Sequence, residues 1–290
     1  MNPPAEPARG PADPNMIFLK LGGSLITDKA RPETARPDVL ARLAQELAEA
    51  RAERPKLRLL LGHGSGSFGH VAAAKHGTHL GAHTEQEWRG FLEVWQAAHR
   101  LHGHVLDALR SAGLPAMSFP PSATAVCENG EIMSLAHEPI LLALEASLLP
   151  VVLGDVAFDR HRGATILSTE RVMGWLADAL APSRILLAGV EEGVYERFPL
   201  RDRPLERLSH PDLERLALGE STGTDVTGGM AAKVRWGLDM IRRRPDREIR
   251  IFSASAPGSL LRAIRGDAMG TLIYRRMEFP PNRKDSQASK

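Results

Sequence analysis

The sequence of 290 residues contains a single cysteine, Cys127. One thiol excludes a disulfide framework and a structural zinc site built from cysteines, and it fits a reducing compartment. No apolar run approaches the roughly 20 residues that a membrane-spanning helix requires. We therefore expect a soluble, cytoplasmic protein that has no membrane partner.

The chain also lacks an excess of charge of either sign. Its 37 Lys and Arg residues face 35 Asp and Glu residues, which gives a net charge of +2. A nearly neutral chain with no strongly basic half argues against nucleic acid as the main partner. Because 43% of the residues are hydrophobic, the chain can bury a full core, and general disorder is excluded.

Lysine is scarce, because arginine supplies most of the basic side chains. The seven lysines are Lys20, Lys29, Lys56, Lys75, Lys233, Lys284 and Lys290. Where arginine is the default cation, each retained lysine is a candidate for a role that arginine does not fill. Lysine provides a compact, mobile point charge, whereas arginine provides a rigid fork.

Short apolar runs alternate with amphipathic stretches along the chain. Strands are predicted over 16–21, 57–61, 149–153, 184–188, 249–252 and 271–274, and helices over 37–54, 85–111, 169–180 and 228–243. This alternation predicts an α/β fold whose mostly parallel sheet is covered on both faces. Two hairpins, near Asn129-Gly130 and over 156–167, are expected at the edges of that sheet.

The ends and the middle of the chain differ in composition from the rest. Residues 1–15 are rich in Pro and Ala and lack the apolar segment of a secretion signal, so we expect a disordered leader, with Met1 and Met16 both open as the start. A change near 181–182 predicts a boundary between an N-terminal lobe, 16–181, and a C-terminal lobe, 182–276. Residues 277–290 are expected to form a flexible tail.

The first motif is Lys20-Leu-Gly-Gly-Ser24, at the end of the first predicted strand. Two glycines allow backbone N–H groups to approach an anion, and Ser24 adds a hydroxyl donor. Lys20 interrupts an apolar run, where a buried lysine is costly unless it is paired or lies in a ligand cleft. Ligands of open α/β sheets bind at the carboxyl ends of strands, which is where Lys20 lies.

The second motif is the glycine-rich segment 62–70, which follows the second predicted strand and ends in His70. It is not a Walker loop, because no Gly-Lys-Ser/Thr follows its glycines, and it lacks the acidic residue of a dinucleotide site. Its amides and a protonated His70 suit a phosphate monoester. Two such turns after neighbouring strands favour phosphate chemistry.

The third motif covers 224–233, where Gly228 and Gly229 precede a predicted helix and Lys233 lies one turn inside it. A helix N-terminus attracts phosphate. Taken alone, the segment fits an ordinary helix start with a solvated lysine better.

Eight of the 11 histidines fall between His63 and His104. No cysteine or His-Glu-x-x-His motif accompanies them, so most are interpreted as residues of a helix surface and no metal site is predicted.

Trp88, Phe91 and Trp95 recur at helical spacing and are interpreted as core, with an apolar substrate pocket as the alternative.

Together these segments resemble the amino acid kinase superfamily and, within it, the isopentenyl phosphate kinase family. The resemblance covers about 16–274. It is carried by Lys20-Leu-Gly-Gly-Ser24, Lys29, Gly64-x-Gly66-x-Phe68-Gly69-His70, Gly154-Asp155, Gly193-Val-Tyr195, Asp225-Val-Thr-Gly-Gly-Met230 with Lys233, and Gly270-Thr271. The most discriminating residue is His70, which the related fosfomycin kinases share.

The resemblance implies an open αβα sandwich, a homodimer, and ATP-dependent conversion of isopentenyl phosphate to isopentenyl diphosphate with Mg²⁺. Its implied catalytic residues are Lys20, Lys29 and His70. Its implied acceptor site comprises Gly64, Ser65, Gly66, Gly69, His70, Asp155 and Thr169. Its implied ATP site comprises Lys20, Gly22, Gly23, Ser24, Asp225, Gly228, Gly229 and Lys233.

The sequence departs from the family pattern at Ser65, at Ser168-Thr169-Glu170 and at 190–193. These departures concern recognition of the acceptor and the nucleoside more than the type of reaction. A kinase of another small phosphate or phosphonate, such as fosfomycin, and a nucleotide-binding sensor without turnover stay open as alternatives. The preference among isopentenyl, dimethylallyl and longer monophosphates also stays open.

Overall fold

The computed structural model describes residues 11–197, 201–215 and 229–275. Its strands are β1 Asp13–Leu21, β2 Arg58–His63, β3 Ala116–Ser118, β4 Ala125–Glu128, β5 Glu131–Leu135, β6 Leu149–Leu153, β7 Asp155–Asp159, β8 Gly163–Leu167, β9 Pro182–Gly189, β10 Arg207–Leu208, β11 Glu248–Ser253 and β12 Thr271–Ile273. Its α-helices are α1 Gly23–Ile26, α2 Pro37–Glu53, α3 Gly66–His76, α4 Glu85–Ser111, α5 Pro121–Thr124, α6 Glu138–Glu145, α7 Thr169–Leu180, α8 Gly229–Arg243 and α9 Ser259–Arg265.

Eight strands form the main sheet, in the order β10-β12-β11-β9-β1-β2-β6-β3. Strands β11, β9, β1, β2, β6 and β3 run parallel, and β12 is antiparallel to β11. The predicted α/β class with a mostly parallel sheet is thereby confirmed. Strand β9 pairs with β1, so one continuous sheet spans the compositional change near 181–182.

Two apolar cores lie on the two faces of this sheet, as an αβα sandwich requires. Along β1, Ile17, Leu19 and Leu21 belong to one core, while Met16 and Phe18 belong to the other. Successive strand residues point to opposite faces. This alternation places Lys20 on the same face as Met16 and Phe18.

The two predicted hairpins exist, but their expected position at the edges of the main sheet was wrong. Strands β4 and β5 pair antiparallel, as do β7 and β8, and together they form a separate four-stranded sheet in the order β5-β4-β7-β8. The parallel pairing of β4 with β7 joins the two hairpins. Pairing between distant segments is decided by tertiary packing, which local alternation does not encode.

Helix α3 was not predicted as a helix, because its start is rich in glycine. It begins at Gly66, within the segment that reads as a loop, and its first residue adopts φ +52°. By contrast, α4 matches its predicted bounds and begins with a capping box, in which Thr84 and Glu87 satisfy each other's backbone N–H groups. Phe91 in α4 is buried in a small core, and Trp88 and Trp95 pack against it.

No helix in the part of the chain described above is long and apolar enough to cross a membrane. Most of the predicted leader, all of the predicted tail, and Asp225 and Gly228 of the third motif lie outside the described residues.

Candidate active site

A cavity of about 670 Å³ opens at the carboxyl ends of the central strands. The ends of β1, β2, β6 and β9 meet there because parallel strands finish at the same edge of a sheet. Fourteen of the sixteen predicted site residues lie within the described part of the chain. Those that line the cavity are Lys20, Gly22, Gly23, Ser24, Lys29, Gly64, Ser65, Gly66, Gly69, Asp155, Thr169 and Lys233.

The other two predicted site residues within the described part of the chain are His70 and Gly229. The backbone of His70 lies in the second turn of α3, four residues after Gly66, and its side chain lies outside the description. Gly229 is buried at the first residue of α8 and has φ +59°. The structure thus brings the first two motifs and Lys233 to one cleft.

The first two motifs, 20–24 and 62–70, form two glycine loops that contact each other directly. A Cβ atom added to Gly23 would lie 2.5 Å from both N and Cα of Gly66, so no larger residue fits there without a shift of the backbone. The amide of Gly64 donates to the carbonyl of Leu21 at 3.0 Å, and the amide of Gly22 donates to that of Ala188 at 2.8 Å. The close approach of Gly66 explains why position 23 is a glycine.

Lys20 is buried, with 5% of its surface exposed. Its Nζ atom lies 3.0 Å from Oε1 of Glu170, the second residue of α7. A buried lysine requires such a partner, because desolvation of an isolated charge is costly. The sequence-based expectation that Lys20 is either paired or in a cleft is met on both counts.

Glu170 is a site residue that the sequence marks only as a departure from the family pattern. Burial alone would raise the pKa of its carboxyl, but the charges of Lys20 and Lys233 outweigh this effect and hold the pKa below its usual value. Its signal in the sequence is weak: an acidic residue at the start of a predicted helix beside the sheet edge. The carboxylate therefore interacts electrostatically with lysines of two different motifs.

Lys29 occupies the loop between α1 and α2, where its exposed side chain lines the cleft. Lys233 lies in the second turn of α8 and also lines the cleft. Three of the seven lysines therefore surround one cavity, and only Glu170 among the described acidic residues forms a salt bridge with Lys20.

The polar groups of Asp155 and Thr169 hold the sheet edge together. The carboxylate of Asp155 accepts hydrogen bonds from the amide of Ser122 at 3.1 Å and from its own neighbour Val156 at 2.9 Å, and it lies 3.2 Å from Nε2 of His99. The hydroxyl of Thr169 donates to the carbonyl of His63 at 2.7 Å.

His63 and His102 are buried, so these two are exceptions to the interpretation of most histidines as residues of a helix surface. Nε2 of His63 lies 2.9 Å from Nδ1 of His102, and Nε2 of His102 lies 2.7 Å from the hydroxyl of Ser118. Burial lowers the pKa of His63 to about 4 and that of His102 to about 3. Both rings are therefore neutral at pH 7, and they form a hydrogen-bonded chain that ends at the hydroxyl of Ser118.

Within 11–197, 201–215 and 229–275, no group of three or more His, Cys, Asp or Glu side chains is placed to hold a metal ion. The cleft instead offers cations and backbone amides, which are ligands for phosphate.

Apolar side chains also line the cleft. They include Ala73 of α3, Val94 and Ala98 of α4, and Ile166 of β8. Trp88, Phe91 and Trp95 are not among its lining residues, and their place in a small core agrees with their interpretation as core. The end of β9 and α8 also contribute to the lining, through residues that include Val190 and Trp236.

Comparisons with known proteins agree with this geometry. The profile of the Amino acid kinase family matches residues 15–253. Isopentenyl phosphate kinase of Methanothermobacter thermautotrophicus is 36% identical over 271 residues, which is 89% of this chain and 98% of that protein. Isopentenyl phosphate kinase of Methanocaldococcus jannaschii is 31% identical over 269 residues, with the same coverage.

A solved structure of isopentenyl phosphate kinase superposes with a TM-score of 0.76 at 32% sequence identity, over 89% of this chain and 99% of that one. The family match over 15–253 includes both glycine loops and α8. The chain belongs to the amino acid kinase family and groups within it with the isopentenyl phosphate kinases.

Proposed function

We propose that the protein transfers the γ-phosphoryl group of ATP to isopentenyl phosphate, giving isopentenyl diphosphate and ADP. The observation that carries the proposal is that a single cavity is lined by three lysines and two glycine loops and also by the apolar residues Ala73, Val94, Ala98 and Ile166. The cationic lining suits two phosphates, and the apolar lining suits a short hydrocarbon chain. The relatives named above are kinases of this acceptor.

Each loop has a separate task in this proposal. The second loop binds the phosphate of the acceptor through the amides of Ser65 and Gly66, with His70 as a further donor, and Gly64, Gly69, Asp155 and Thr169 complete that side. The first loop and the start of α8 bind ATP. The proposed ATP-binding residues are Lys20, Gly22, Gly23, Ser24, Asp225, Gly228, Gly229 and Lys233.

In the reaction, an oxygen of the acceptor phosphate attacks the γ-phosphorus of ATP. The new P–O bond forms as the bond from the γ-phosphorus to the bridging oxygen breaks, and ADP leaves with that electron pair. The attacking oxygen is already an anion, so no general base is needed. The main obstacle is the repulsion between two phosphates, which Lys20, Lys29 and Lys233 offset.

Magnesium is proposed to accompany ATP. Because the described side chains offer no cluster of ligands for it, Mg²⁺ would be held by phosphate oxygens and water, as is common for this ion.

We also propose that 16–181 forms the acceptor-binding lobe and 182–276 the ATP-binding lobe. A homodimer and a cytoplasmic location complete the proposal. The homodimer rests on the resemblance to the family and is tested by light scattering coupled to size-exclusion chromatography.

A coupled assay of ADP release tests the proposed reaction. Purified protein, ATP and Mg²⁺ are combined with isopentenyl phosphate, dimethylallyl phosphate, fosfomycin or no acceptor. We expect ADP release with the isoprenoid monophosphates, and formation of the diphosphate confirmed by mass spectrometry. Turnover with fosfomycin alone would make the protein a kinase of that phosphonate. ATP binding without turnover of any acceptor would favour a sensor.

A further inference from the structure

Thr27, directly after α1, links three segments that border the cleft. Its side chain is fully buried. Its hydroxyl donates to the carbonyl of Gly23 at 2.7 Å and accepts from the amide of Ser67 at 3.0 Å. A threonine hydroxyl has one hydrogen to donate, so both directions of this bridge are determined. One oxygen atom thus joins the first glycine loop to the first turn of α3, which lies within the glycine-rich segment 62–70.

The fit around Thr27 is close as well as polar. A Cβ atom added to Gly66 would lie 2.3 Å from Oγ1 and 2.7 Å from Cγ2 of Thr27. The glycine at 66 therefore leaves the space that the threonine side chain fills. The contact between the two loops depends on both residues.

The loop that carries Lys29 is joined to the same point. The two ends of this loop are joined by an isolated antiparallel β-bridge between Thr27 and Ala35. The amide of Asp28 also donates a hydrogen bond to the carbonyl of Thr34 at 2.8 Å.

Ser67 holds the C-terminal end of this loop through hydrogen bonds to Glu33 and Thr34. Its buried side chain accepts from the amide of Thr34 at 3.3 Å, and its carbonyl accepts from the amide of Glu33 at 3.2 Å. The carboxylate of Glu33 in turn accepts two hydrogen bonds from the guanidinium of Arg100 in α4, at 2.6 and 2.8 Å. The base of the loop is therefore fixed, while the side chain of Lys29 is exposed to the cleft.

We propose that Thr27 and Ser67 form a positioning junction, which fixes the two glycine loops and Lys29 relative to one another for phosphoryl transfer. The inference rests on the proposed function, because the loops are taken to hold the acceptor phosphate and ATP. Neither residue has to touch a substrate for this role. Transfer between two bound phosphates is sensitive to displacements of about 1 Å, which can lower the rate about 100-fold.

The junction itself is tested first, by hydrogen exchange of the full-length protein. In Thr27→Val, which keeps the shape but removes the hydroxyl, we expect faster exchange of peptides covering both 28–34 and 64–69. In Ser67→Ala, which retains the amide that donates to Thr27, only 28–34 should exchange faster. Unchanged protection of both segments in Thr27→Val would overturn the junction, and this readout does not depend on activity.

Kinetics then test the positioning role. We expect kcat of Thr27→Val to fall about 10- to 100-fold with little change in KM for ATP, and Thr27→Ser, which keeps both hydrogen bonds, to restore most of it. The matched control is Thr124→Val, because the hydroxyl of Thr124 also donates to a carbonyl four residues earlier, that of Pro120, at 3.0 Å. A Thr27→Val protein with loosened loops but wild-type kcat would overturn the role.

A double-mutant cycle links the effect to Lys29. If Thr27 acts by placing Lys29, then Thr27→Val should cost much less in a Lys29→Ala background than in the wild type. Additive losses would contradict placement of Lys29. Absence of turnover with isopentenyl phosphate in the wild type would instead contradict the proposed function, and the cycle would then be measured with the acceptor identified by the assay of ADP release.

Discussion

Nζ of Lys20 lies 3.0 Å from Oε1 of Glu170, in a pair that joins the end of β1 to the start of α7. The side chains of Lys20 and Glu170 are 6% and 16% exposed, respectively. Lys233 on α8 adds a second positive charge that lowers the pKa of Glu170. A single carboxylate therefore interacts with lysines of both the first and the third motif.

Replacement of Glu170 by Gln should lower both stability and turnover. The buried ammonium of Lys20 would lose its charged partner, which we expect to reduce the free energy of unfolding by about 1–3 kcal/mol. We expect kcat to fall as well, because Lys20 and Lys233 lose the negative charge that interacts with both. Urea unfolding and the assay of ADP release measure the two effects.

Glu85→Gln is the control for Glu170→Gln, since Glu85 forms an exposed pair with Arg89 on α4. Exposed pairs contribute little to stability, so this variant should resemble the wild type. Equal effects of the two substitutions would contradict a special role for the pair in the cleft.

Arginine should not replace lysine at the three positions in the cleft. Lys20 is buried beside Gly64, where a larger planar guanidinium would force its neighbours apart. We expect Lys20→Arg, Lys29→Arg and Lys233→Arg each to lower kcat about tenfold or more. Lys56→Arg, at an exposed position between α2 and β2, is the matched control. Full activity of all three variants would show that any cation suffices there.

The buried histidines should make stability depend on pH below neutrality. Burial lowers the pKa of His63 to about 4 and of His102 to about 3, whereas an unfolded histidine has a pKa of about 6.5. As the pH falls from about 6.5 to about 4, the unfolded chain binds protons that the folded chain excludes. Stability should therefore fall with pH, by at most about 1.4 kcal/mol per pH unit for each histidine.

Thermal or urea unfolding between pH 7.5 and about pH 4.5 measures this dependence. His102→Gln should give a shallower slope, because one of the excluded protons no longer contributes. His210→Gln, at an exposed position, should retain the slope of the wild type. An unchanged slope in His102→Gln would place the origin of the pH dependence elsewhere, for example in carboxylates.

His70→Ala tests the residue that most strongly carries the resemblance to the family. We expect this variant to lose most of its turnover with isopentenyl phosphate, because the acceptor phosphate loses a donor, while it still binds ATP. The assay of ADP release and calorimetric titration with ATP separate the two properties. Unchanged turnover would contradict the proposal that His70 binds the acceptor phosphate.

Local sequence patterns were sufficient to predict the bounds of helices and strands whose ends are marked by nearby residues. Helices α4 and α7 and strand β6 match their predicted bounds, because periodicity, a capping box and flanking glycines mark their ends. Helix α3 was missed because a glycine-rich start conceals helical periodicity. The placement of the hairpins failed for a different reason, since the pairing of β4 with β7 is a contact between distant segments.

The sequence by itself determined the two glycine loops, the scarcity of lysine and the position of Lys20 at the end of a strand. These features are local, because they depend on residue type and on short spacing. Only the tertiary structure decided that Glu170 pairs with Lys20, that His63 and His102 are buried together, and that Thr27 reaches Ser67. Each of these contacts joins residues far apart in the chain, and they form only when the strand ends meet at one edge of the sheet.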